Sequence, residues 1–171
     1  MFLLFCTGKI TPYSDHSNKP IIEDGKIDID RNGIFDVLIG KQFTAYPATV
    51  NEAFFVEPLN DTRILYNAIL GKAEMFQTGD TISLEVNYPQ IWGSFFTYLT
   101  WRGYPDTTHW AGSWASKRGY LPLKIKIEEE YHCAWINMKI DTLRDNYEVY
   151  AASYNEDSNQ DFIIINNKMP N

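Results

Sequence analysis

The feature that most restricts what this chain can fold into is a strict two-residue alternation in its C-terminal third. Leu121, Leu123, Ile125 and Ile127 are separated by Pro122, Lys124 and Lys126. Beyond a charged connection of Glu128, Glu129 and Glu130, residues 131–140 repeat the pattern with Ala134, Ile136, Met138 and Ile140. Successive side chains of a strand point to opposite faces, so a period of two predicts a hairpin with one apolar face. After the Gly79-Asp80 turn, Ile82, Leu84 and Val86 alternate with Thr81, Ser83 and Glu85, which predicts a further strand over 81–86. Residues 43–46, 51–56, 147–154 and 162–165 read as strands as well, and the aromatic stretch 92–101 as one strand or a pair. Ile64, Leu65, Ala68 and Ile69 fit helical spacing slightly better than a strand, and residues 62–70 stay open between the two. The expectation is an all-β, antiparallel β-sandwich, jelly-roll-like or immunoglobulin-like, with few or no helices.

Several classes of function fall away on composition. A net charge of −7 argues against nucleic-acid binding, which needs a basic face. No apolar run approaches the ~20 residues of a membrane span. Two cysteines, Cys6 and Cys133, without a Cys-x-x-Cys motif exclude a structural zinc cluster, and they read as free, unrelated thiols. Phosphate-cradling glycine loops, His-Glu-x-x-His and Gly-x-Ser-x-Gly are absent. At 171 residues, the simplest division is a tail over 1–20 and one β-sandwich domain over 21–171.

One stretch carries a chemistry of its own. In Asp28-Ile29-Asp30-Arg31-Asn32-Gly33-Ile34-Phe35-Asp36, oxygen-bearing side chains recur at alternate positions, followed by a glycine and a last carboxylate three residues on. Hard cations such as Ca²⁺ take six to eight oxygen ligands, and a tight turn of this composition supplies several. Three carboxylates within nine residues repel one another unless a cation intervenes. The stretch is not an EF-hand: its twelfth position is Ile39 rather than Glu, and β-branched residues flank it in place of helices. It resembles the Asp-x-Asp-x-Asp-Gly-x-x-Asp loops of integrin-type propeller repeats, thrombospondin type 3 modules and dockerins. That resemblance implies side-chain ligands Asp28, Asp30, Asn32 and Asp36, with the Ile34 carbonyl as a fifth. Because the loop occurs once and no repeat period appears, a propeller is not expected.

Gly119-Tyr120-Leu121, the segment from Tyr131 to Ile136 and the segment from Tyr147 to Tyr154 resemble strands that close a broad group of secreted bacterial β-sandwich proteins of unsettled activity. Leu3-Leu4-Phe5-Cys6 is similar to a bacterial lipobox, whose cysteine carries the lipid anchor, although an ordinary first strand or frayed terminus fits equally. These resemblances imply an extracytoplasmic, calcium-stabilised domain, secreted or anchored at the outer surface, with a non-catalytic structural or binding role. Two alternatives accompany that reading. Trp101, Tyr104, Trp110 and Trp114 lie in or beside an apparent long loop over 103–119, where they would converge as a carbohydrate-binding platform. Asp106 and His109 in the same loop are the pair a hydrolase would use, while His16 and His132 have no partner in sequence.

Overall fold

The structure is a computed structural model that describes residues 20–46, 49–103, 106–158 and 160–164. The strands, in chain order, are β1 (Ile21–Glu23), β2 (Lys26–Asp28), β3 (Val37–Tyr46), β4 (Thr49–Pro58), β5 (Arg63–Asn67), β6 (Lys72–Ala73) and β7 (Thr81–Ile82). They continue with β8 (Gln90–Gly93), β9 (Thr97–Gly103), β10 (Asp106–Ala111), β11 (Arg118–Ile127), β12 (Glu130–Asp141), β13 (Asn146–Tyr154) and β14 (Phe162–Ile163). Among the described residues there is no helix, and so none long and apolar enough to cross a membrane.

Two antiparallel sheets form the body. The first runs β1-β2-β3-β4-β9-β10; the second runs β13-β12-β11-β5-β6, with β8 also paired to β5. Apolar residues of both inner faces join one buried cluster. Ile27, Val37, Ile39, Phe54, Val56 and Leu99 come from the first sheet, and Ile64, Leu121, Leu123, Ile125, Ile136, Met138 and Ile140 from the second. The sheets therefore face each other as a sandwich. The expected β11–β12 hairpin is present, with Leu121 opposite Ile136 and Leu123 opposite Ala134, closed at the exposed tip by Glu128 and Glu129.

Several expected boundaries move for reasons of pairing. Residues 63–67 are a strand because β5 is hydrogen-bonded to both β11 and β8, which overrides a local spacing that fits a helix slightly better. The 92–101 stretch is the pair β8 and β9. Strand character over 81–86 ends at Ile82, where β7 pairs with the two-residue β14. The apparent loop 103–119 instead contains β10, paired to β9.

The first hairpin turns on Asp24 (φ 49°) and Gly25 (φ 81°), the two left-handed residues of a tight two-residue connection. A Cβ on Gly25 would stand 2.4 Å from the Ile39 carbonyl oxygen, and Ile39 N–H in turn donates to the Gly25 carbonyl at 2.9 Å. Gly25→Ala meets both a backbone clash and left-handed strain, and urea unfolding should show a loss of about 1–3 kcal/mol. Unchanged stability would mean that this hairpin does not hold β1 and β2 against β3.

Candidate metal centre

The acidic stretch connects β2 to β3. Pairing of Ile27 with Val37 is the last rung of their ladder, and Asp36 N–H donates to the Ile27 carbonyl at 2.8 Å to close the loop's base. Ile27, Ile29 and Val37 anchor both ends in the core. The loop then has to reverse within few residues, and Arg31 (φ 63°) and Gly33 (φ 88°) take left-handed conformations to do so. No atom lies within 4 Å of a Cβ built on Gly33, so glycine is needed there for its backbone angle rather than for space.

The carboxylates converge. One oxygen from each of Asp28, Asp30 and Asp36 lies within 4.8 Å of the others. Ligands of a single Ca²⁺ sit 2.3–2.6 Å from the ion, so two of them are at most about 5 Å apart, and the cluster meets that requirement. This group of acidic residues could hold a metal ion. Asp28 and Asp36 are 1% and 6% exposed. Backbone N–H groups orient them: Asp28 Oδ1 accepts from Arg31 at 2.7 Å, Asp28 Oδ2 from Gly33 at 2.9 Å, and Asp36 Oδ2 from Ile29 at 2.7 Å. Asn32 is part of the same knot, donating through Nδ2 to Asp30 Oδ2 at 2.9 Å and accepting Ile34 N–H on Oδ1 at 2.7 Å. Ile34 itself points its side chain to solvent.

Burial and mutual repulsion raise two of these carboxyls. Asp36 is pushed up to about 7, by desolvation first and then by the charges of Asp30 and Asp28. Asp30 is raised too, by desolvation above all and further by its contact with Asp28. At 4.8 Å each carboxylate pair repels by about 3 kcal/mol at an effective dielectric near 20, so full ionisation of the three carboxylates by themselves opposes folding.

The sequence did not point to the turn between β4 and β5 as a buttress of this loop. Leu59 N–H donates to the Asp36 carbonyl at 2.7 Å, and Asn60 Nδ2 donates to the Phe35 carbonyl at 2.8 Å. Asn60 (φ 47°) and Asp61 (φ 63°) are both left-handed. Such an Asn-Asp pair shortly after Pro58 was the available signal for the turn, although nothing local said what it would touch. Asn60-Asp61-Thr62 also matches a glycosylation sequon.

The three described residues of the expected aromatic platform, Trp101, Trp110 and Trp114, do not converge on one surface. Trp114 is fully buried in the main core, and Trp110 packs on that core, 5.5 Å from Phe54 and beneath the Arg102 guanidinium at 4.9 Å. Trp101 neighbours Arg102 on β9, pairs with Ala53 and Ala111, and is 40% exposed on the outer face of the first sheet. Strand alternation thus sends Trp101 outward and Trp110 inward. Tyr104 and Cys6 lie outside the described residues, as do His16 and the side chain of Asp106. His109 is exposed and contacts Thr108 Oγ1 at 2.9 Å through Nδ1. His132 is buried, with Nδ1 2.8 Å from the Asn155 carbonyl and its ring edge-on to Tyr154, a satisfied core histidine.

No protein-family model, no curated protein and no solved structure matches this chain.

Because the Asp36 carboxyl is raised in the folded state, the metal-free fold binds more protons than the unfolded chain between about pH 4 and 7, and its stability falls as pH rises through that window. In chelator, urea unfolding should show a loss on the order of 2 kcal/mol from pH 5 to pH 7, and Asp36→Asn should flatten it. A parent protein equally stable at both pH values would contradict the strained arrangement.

Proposed function

We propose that this chain is a calcium-stabilised β-sandwich module acting outside the cytoplasm, with a structural or binding role rather than a catalytic one. The observation that carries this reading is the convergence of Asp28, Asp30 and Asp36 to within 4.8 Å at the junction of two core strands. The donor set is oxygen alone, which suits a hard cation over zinc or copper. Asn32 Oδ1 and the Ile34 carbonyl would complete the protein ligands, with water filling the remaining positions. Of the hard cations, Ca²⁺ fits best, because it tolerates the irregular geometry of a short loop where Mg²⁺ demands a near-ideal octahedron.

The ion's work in this reading is mechanical. It replaces the proton on Asp36, cancels the repulsion among the three carboxylates and locks β2 to β3. Because it binds the folded chain, it adds RT ln(1 + [Ca²⁺]/Kd) to stability. Extracellular modules manage with a Kd near 10⁻⁴–10⁻³ M because calcium outside cells is abundant, and that economy favours an extracytoplasmic location.

At about 1 mM free calcium, a Kd of about 10⁻⁴ M contributes about 1.4 kcal/mol, or roughly 3–6 °C in Tm for a chain of this length. Thermal unfolding at pH 7 should show that rise with calcium, its reversal by chelator, and no response in Asp28→Ala. Equal responses of parent and variant would remove the assignment.

A further inference from the structure

We propose that β14 is a detachable strap that closes the outer face of the second sheet and masks Cys133. That sheet is covered on both sides. Its inner face meets the first sheet, whereas Tyr120, Cys133 and Trp135 point the other way into a separate buried cluster with Ile82, Phe162 and Ile164. The cover over this outer face is built from two short pieces that meet from distant parts of the chain, Thr81–Ile82 and Phe162–Ile163.

The two pieces are held unequally. The β7 side is fastened to the sheet itself. Phe76 forms a two-way backbone bridge with Tyr120 at 2.9 Å, and Lys124 Nζ donates to the Leu84 carbonyl while lying 4.9 Å from the Trp92 ring. The β14 side rests on β7: Phe162 and Ile163 pair with Ile82 and Thr81, Gly79 N–H donates to the Ile164 carbonyl at 2.8 Å, and Ile164 N–H donates to the Asp80 carbonyl at 2.9 Å. Its grip on the sheet includes Phe162, stacked on Trp135 at 6.4 Å and hydrogen-bonded through its backbone to Cys133, and fully buried Ile164.

A pivot is present upstream of the strap. Asn155 N–H donates to the Cys133 carbonyl at 2.8 Å, and the Asn155 carbonyl meets His132 Nδ1, so the chain is pinned to β12 just before it crosses to β14. Short segments outside the main ladders open at a lower free energy than the whole domain, and among the described residues β14 is a two-residue strand whose one ladder partner is the equally short β7. The Cys133 thiol lies against the Phe162 backbone, which, with Asp161, is among the groups acting on it. Burial holds that thiol up at about 12. When β14 lifts, the thiol meets water and returns toward its ordinary value, beside its cross-strand neighbour Lys124. Cys133 is thus a thiol whose accessibility reports, and depends on, the strap.

The test is native-state alkylation of Cys133 by iodoacetamide in the 171-residue chain carrying Cys6→Ser, read by peptide mass and compared with global unfolding in urea. The rate of labelling should depend on urea far more weakly than global unfolding does. Phe162→Ala should label at least about tenfold faster. Val56→Ala, which weakens the main core in the first sheet, should lower global stability and leave the labelling rate unchanged, because it destabilises closed and strap-open forms alike. Labelling that accelerates in step with the stability lost in Val56→Ala, an unchanged rate in Phe162→Ala, or a Phe162→Ala protein that does not fold would each overturn the proposal.

Discussion

Asp28 and Asp36 sit at the base of the β2–β3 loop with almost no exposure, where ionised carboxylates cost several kcal/mol in lost hydration. Their oxygens recover part of that cost from the N–H groups of Ile29, Arg31 and Gly33. The rest is left as repulsion within the cluster, which a proton on Asp36 or a bound cation relieves. Much of the first sheet depends on how that repulsion is resolved. β3 starts where the loop ends, β2 stops where it begins, and β1 reaches the body of the sheet only through β2.

The same loop is connected to the second sheet. Its exit is held by Leu59 and Asn60, on the turn that carries the chain from β4 across to β5. Tyr154, at the end of β13, has its phenol raised by burial and further by the carboxylates of Glu156 and Asp30. Farther along β3, Tyr147 donates to the Ile39 carbonyl at 3.0 Å, and Lys41 pairs with Asp145 and, at 3.6 Å, with Glu52. Such partly exposed ion pairs contribute at most about 1 kcal/mol each. Packing of the two inner faces therefore outweighs them. An ion in the loop would tighten both layers because the loop and the crossing turn share hydrogen bonds.

What could be read in the sequence was whatever a local pattern encodes. Alternation over Leu121 to Ile140 identified the central hairpin because its inner face, packed on the other sheet, wants every second residue apolar. The spacing of Asp28, Asp30 and Asp36 was legible because a tight loop of nine residues leaves few ways to place three carboxylates other than together. Long-range pairing was not legible. The outer face of β11 and β12 is buried by Ile82 and Phe162, about 80 residues apart in the chain, so Tyr120, Cys133 and Trp135 lie in a second core that no window of sequence displays. Residues 103–119 looked like a loop from their Gly, Pro, Thr and Ser content. Pairing with β9 overrode that composition, and it turned Trp110 inward where a loop would have exposed it.

The proposed role of the three convergent carboxylates rests on their taking up an ion, and direct stoichiometry tests that most plainly. Protein dialysed against about 1 mM calcium at pH 7 and analysed for metal should hold one calcium per chain, and Asp28→Ala should hold none. A parent protein that carries no calcium, or a variant that retains it, would contradict the account.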